Sequence, residues 1–155
     1  MKETARITEL FEDLYDGEAW IGETLSGTIK NVSAKQAAGK ITPQWNSIWE
    51  ILIHLIRWRE NVLQRVQGVI TESPDHNYFW RVEDESEEAW SNTLVELEKS
   101  QQNWISFLHG MHEEDLEKVY ERNNLSYYKN IHGIIQHDAY HLGQVIMLAK
   151  HGAGN

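Results

Sequence analysis

His137 and His141 lie four residues apart in the run Gln136-His137-Asp138-Ala139-Tyr140-His141-Leu142-Gly143-Gln144. On a helix that spacing puts both imidazoles on one face, one turn apart. Two neutral imidazoles so placed can grip one divalent cation. A third histidine, His54, interrupts the apolar run Ile51-Leu52-Ile53-His54-Leu55-Ile56. A half-polar ring in such a stretch costs free energy unless it is partnered, by another side chain, a buried water or a metal. If the helix carrying His54 packs beside the one carrying His137 and His141, the three imidazoles meet. Three imidazoles with open positions make the ligand set of a catalytic metal site rather than a closed structural one. The competing reading is an exposed histidine and a hydrogen-bonded core histidine, since this residue type is only intermediate in its tendency to be buried.

The neighbours of the three histidines have candidate roles of their own. Glu50 lies one turn before His54 and either orients that ring through its other nitrogen or sits in solvent. Gln144 lies three residues beyond His141, shares its face, and either lines the pocket or bonds an adjacent helix. Asp138 points about 100° away from His137 and reads as a surface charge or a partner to a neighbouring group rather than a fourth ligand. Tyr140 reads as packing, pocket or interface. Trp49, Trp58, Trp90 and Trp104 sit at helical spacing, which favours core packing over pocket lining. His76, His109, His112, His132 and His151 fall in a loop, at a helix end, on another face or near the terminus, and are expected in solvent.

Four segments with helical periodicity must hold these residues. The first spans about residues 3–25, with Ile7, Leu10, Phe11, Leu14, Ile21 and Leu25 at helical spacings, weakened late by Gly17 and Gly22. Residues 26–40 are polar and read as a connector. The second helix is expected from Thr42 as N-cap and Pro43 as first helical residue to about Gln67, closed by Gly68. It is apolar nearly all round in its middle and needs cover on several sides. The third begins near residues 84–86, with a capping box between Asp84 and Glu87, and ends near Gly110. The fourth spans about residues 130–150, with Gly152 and Gly154 after it. Four amphipathic helices pack naturally as a four-helix bundle, here a single all-α domain over residues 1–155.

Composition narrows the function classes. The chain has 155 residues, with 24 acidic against 14 basic side chains and a net charge of −10. That balance argues against binding nucleic acid or an anionic membrane surface. There is no cysteine, which removes disulfides, protein thiolate nucleophiles and cysteine metal sites. The charged Met1-Lys2-Glu3-Thr4-Ala5-Arg6 start does not read as a signal peptide, and no apolar run is long enough to span a bilayer. A cytoplasmic location is the expectation.

The segment Gln44-Trp45-Asn46-Ser47-Ile48-Trp49-Glu50-Ile51-Leu52-Ile53-His54 resembles the corresponding part of the DinB/YfiT-like superfamily. The closing stretch, with its histidine pair followed by Gly143-Gln144 in an apolar helix, resembles that family's final helix. The resemblance implies a four-helix bundle with a long crossover connection, usually a homodimer. It also implies a divalent metal, commonly zinc or nickel, on His54, His137 and His141. Some relatives use a low-molecular-weight thiol as cosubstrate, which makes a metal-dependent thiol S-transferase the leading expectation. The alternatives are a hydrolase using metal-bound water, with Glu50 as its base, and a non-enzymatic stress-associated metal-binding dimer.

Overall fold

The computed structural model describes residues 1–152, so Gly154 lies outside the described residues. The apolar stripes fold into four long helices: α1 (Glu3–Tyr15), α4 (Ile48–Val66), α5 (Glu87–Gly110) and α6 (Tyr127–Gly152). Two short helices, α2 (Leu25–Ile29) and α3 (Ala34–Ala38), occupy the long connection between α1 and α4. After α5 come a 3-10 helix over Glu113–Glu117 and a two-stranded antiparallel ladder, β1 (Val119–Tyr120) with β2 (Leu125–Ser126). Val119 pairs with Ser126 and Tyr120 with Leu125. The protein is therefore all-α apart from this small ladder.

The long helices form a closed ring in which α1 packs on α5, α5 on α4, α4 on α6 and α6 on α1. The apolar girth of α4 is covered within the chain by α3, α5 and α6. One part of the core gathers Leu52, Leu55, Ile56, Leu97 and Leu142; the other gathers Ile7, Phe11, Trp104, Leu108 and Ile131. Trp104 is wholly buried, stacks on Phe11 at 4.9 Å between ring centroids, and donates its Nε1–H to the carbonyl of Arg59. Trp49 and Trp90 also pack in the core, with their N–H groups on Thr93 and the Val32 carbonyl. A buried indole usually needs such an acceptor.

Several boundaries differ from the sequence reading, each for a local reason. The first helix stops at Tyr15 rather than near residue 25. The Gly17 N–H closes onto the Glu12 carbonyl, and a Cβ on Gly17 would meet the Asp13 Cα at 2.9 Å. The chain can turn away there only because the side chain is missing. The start of α4 is Ser47, not Thr42-Pro43. The Ser47 hydroxyl accepts from Glu50 N–H and the Glu50 carboxylate accepts from Ser47 N–H, a reciprocal capping box. Thr42 instead begins a turn, its carbonyl accepting from Trp45 N–H. At α5 the cap is Ser86, which accepts from Ala89 N–H. Asp84 accepts from Ser86 N–H, and Glu87 reaches across to accept from Ala34 N–H, so the Asp84–Glu87 box does not form. The connector over residues 26–40 is largely helical, with α3 held by a Ser33–Gln36 capping box. Gly68, at φ +84°, follows the end of α4 as expected.

Candidate metal centre

Packing of α4 against α6 brings His54, His137 and His141 together, with a ring nitrogen from each within 4.8 Å of the other two. His54 and His141 are buried and His137 is partly exposed. The Nε2 atoms of His54 and His137 lie 2.8 Å apart. Among the described residues no other group of His, Asp or Glu side chains is gathered in this way.

Two of the three rings are oriented from behind. The His54 Nδ1–H donates to the Asn77 carbonyl at 2.6 Å, and the His141 Nδ1–H donates to Gln144 Oε1 at 2.7 Å. Both rings are thereby fixed with a bare Nε2 lone pair toward the centre. His54 accepts at Nε2, so in the neutral cluster His137 supplies the one proton between them from its own Nε2. A cation would take the place of that proton. The donor set fits a divalent metal: three imidazoles, two with their outer nitrogens engaged and their inner ones free.

Electrostatics points the same way. Burial, opposed by the Asn77 hydrogen bond and reinforced by the two other imidazoles, lowers the His54 pKa to about 4. Burial also lowers that of His141, against the effect of its bond to Gln144. Both rings are therefore neutral at physiological pH, the form that ligates.

The loop that supplies Asn77 is built for close contact. Asn77 and Tyr78 both adopt left-handed backbone angles, at φ 51° and 59°. This brings Phe79 face to face with His54, with centroids 3.9 Å apart and planes 7° from parallel. Asn77 Oδ1 accepts from Trp58 Nε1–H at 2.9 Å, tying the loop to α4 a second time. Behind the cluster, Asp138 is wholly buried and accepts from Arg59 Nε–H at 2.7 Å. Arg59 also donates to Gln101 Oε1, and Gln101 donates to the Phe11 carbonyl. This network clamps α4, α5, α6 and α1 at the level of the histidines. The second carboxylate oxygen of Asp138 stands 3.5 Å from His137 Nδ1.

Of the neighbouring residues singled out in the sequence, Gln144 meets the cluster and Glu50 does not. The Glu50 carboxylate is held by Ser47 N–H and by Lys40 Nζ at 2.8 Å, so it neither orients His54 nor stands in solvent. Asp138 is a buried ion-pair partner rather than a surface charge. Trp58 is half-buried, packing against the core as expected while also lining the cleft beside the cluster, and the exposed Tyr140 lines the same cleft. His109, His112 and His151 are exposed. His76 sits in the covering loop, and His132 is half-buried against Tyr128 with Nε2 unpartnered. Asn77 was missed because a backbone carbonyl leaves no mark on residue identity.

A family model described as the DinB superfamily matches residues 4–145. The chain belongs to that superfamily. Neither the curated proteins nor the solved structures compared with it gave a match. The three histidines that resembled the DinB ligand positions are the ones the fold gathers, and their cluster could hold a metal ion. Among the described residues, no helix of this DinB protein is long and apolar enough to cross a membrane.

Proposed function

We propose that this DinB protein is a metal-dependent enzyme that activates a small thiol at the His54–His137–His141 cluster, in the manner of a thiol S-transferase. The observation that carries the reading is the position of the cluster at the wall of an open cleft of about 580 Å³. That volume is of the size that receives small molecules. A closed structural site would need no such cleft. A divalent cation held by three neutral ligands, zinc or nickel by the family resemblance, would keep its charge and lower the pKa of a thiol or water presented to it.

The residues themselves do the rest. Asn77 and Gln144 hold two rings in the ligating tautomer. Trp58, Phe79 and Tyr140 offer aromatic surface to the apolar part of a substrate. The chain has no cysteine, so the sulfur must arrive with a cosubstrate. Hydrolysis is the weaker reading, because a water-activating reaction calls for a general base. Glu50 is committed to the helix cap and Lys40, and no Asp or Glu lines the cleft. The homodimer and the cytoplasmic location belong to the same proposal, with exposed Trp45 and Met147 near the cleft as the surface to probe for a second copy.

The test is conjugation of a small thiol to chlorodinitrobenzene by zinc-loaded protein. A carbon–sulfur bond forms, chloride leaves and the thiol proton passes to solvent. Product above the protein-free rate, requiring zinc and lost in His54→Ala, is the expected result. A rate equal to the protein-free control with a panel of thiols and both metals would contradict the proposal.

A further inference from the structure

The cleft beside the histidines has the opposite electrostatic character to the rest of the molecule. The chain carries 24 acidic and 14 basic side chains, yet among the described residues the cleft is lined by Arg65 and Lys129 and by no Asp or Glu. Both cations lie at the same end. Arg65 follows His54 by eleven residues on α4, and Lys129 precedes His137 by eight on α6. On an ideal helix, Lys129, Gly133 and His137 fall on one stripe, two turns long. All three line the cleft, and a Cβ built at Gly133 would meet nothing within 4 Å, so the floor between Lys129 and His137 is open.

Among the described residues, Arg65 is an ordered cation without an anion. Arg6, Arg57, Arg59 and Arg122 each pair with an Asp or Glu. Arg65 is instead held by neutral acceptors: its Nε–H donates to Asn61 Oδ1 at 2.7 Å and its Nη2 to Ser73 Oγ at 3.1 Å. The guanidinium lies over Trp58 at 5.3 Å and over Tyr120 at 5.4 Å. Its Nη1 makes no hydrogen bond among the described residues. Pinning a long, charged side chain costs conformational entropy, and here no ion pair repays it. The same Trp58 ring lies 6.2 Å from the His137 ring, so one indole separates the guanidinium, with its unbonded Nη1, from the histidines.

We infer that the substrate of this site is a small molecule carrying an oxyanion, a carboxylate or a phosphate, which Arg65 and Lys129 bind while its reactive end faces the three histidines. The guanidinium fork suits a planar or tetrahedral oxyanion. Lys129, exposed and without an ion pair among the described residues, adds charge at the same end. The inference rests on the reading of the cluster as a reactive centre but concerns different residues.

Two arms separate them. In the first, metal-free protein is titrated with succinate and, separately, inorganic phosphate, while the Arg65 Nε–Hε resonance is followed. A saturable shift is expected, with one of the two anions binding more tightly, and Lys129→Gln should weaken it several-fold. No shift with either overturns the inference. In the second, calorimetry compares mercaptohexanoate with mercaptohexanol on zinc-loaded protein. The acid should bind roughly tenfold or more tightly, an advantage removed by Arg65→Gln and only partly kept by Arg65→Lys, which retains the charge without the fork. Equal binding of acid and alcohol overturns the oxyanion site and leaves the metal–thiol reading standing. Binding of neither thiol, with the first arm positive, overturns the metal–thiol reading and leaves the oxyanion site.

Discussion

Replacing Asp138 by Asn should destabilise the protein more than any change at an exposed carboxylate. Asp138 and Arg59 are each 1% exposed and joined at 2.7 Å. Asn keeps the shape and one acceptor but removes the charge, leaving the guanidinium buried with only neutral partners, Gln101 and Ser100. Breaking a buried pair from one side costs about 3–5 kcal/mol. That is a large share of the roughly 5–15 kcal/mol that holds a domain together. Removing both charges together, as Arg59→Met with Asp138→Leu, should cost much less than the two single changes added, because no lone charge remains. Urea unfolding of metal-free protein at neutral pH gives the four values, for Asp138→Asn, Arg59→Met, Asp138→Leu and the double variant. A loss below about 1 kcal/mol for Asp138→Asn, in the range of an exposed pair, would show that Arg59 is not desolvated and would refute the clamp.

The histidines predict a pH profile. His54 has a folded pKa of about 4 against an ordinary 6.5, so the unfolded chain binds its proton first as pH falls. Stability from this group is complete above about pH 6.5, declines down to about pH 4 and is gone below it. Integrated over that window the loss is about 3 kcal/mol, read from urea midpoints of metal-free protein, and His54→Phe should flatten it. A steeper loss in the variant than in the parent would contradict the assignment. Gln144→Leu removes the acceptor behind His141 and should weaken zinc binding by roughly 10–100-fold in a chelator competition, with unchanged helical circular dichroism. Glu50→Gln should leave zinc affinity as it was while costing about 1 kcal/mol of stability, through the weakened cap and the lost Lys40 pair.

The sequence carried the four long helices and the three histidines because both rest on periodicity and on polar residues in apolar stretches. Arg59 carried no such mark, because it lies among Arg57, Glu60 and Asn61 in the sequence and only the packing of the helices buries it against Asp138. The error over Glu50 came from the helix start. With Ser47 as cap, Glu50 is the third helical residue and its carboxylate folds back to the N-terminus, out of reach of His54. Ser47-x-x-Glu50 was readable, but Thr42-Pro43 offered a competing start signal. The break after Tyr15 was harder to place, since Ile21 and Leu25 keep the helical rhythm across Gly17. The Asn77 carbonyl behind His54 could not be read at all: a loop 23 residues away delivers it, through left-handed angles that residue types only permit.

Metal content tests the central claim most directly. Tag-free protein and its His54→Ala variant, reloaded with zinc and desalted, are compared by elemental mass spectrometry. About one ion per chain is expected in the parent, with most of it lost in the variant. Full metal content in His54→Ala, or none in the parent after reloading, would contradict a centre built from His54, His137 and His141.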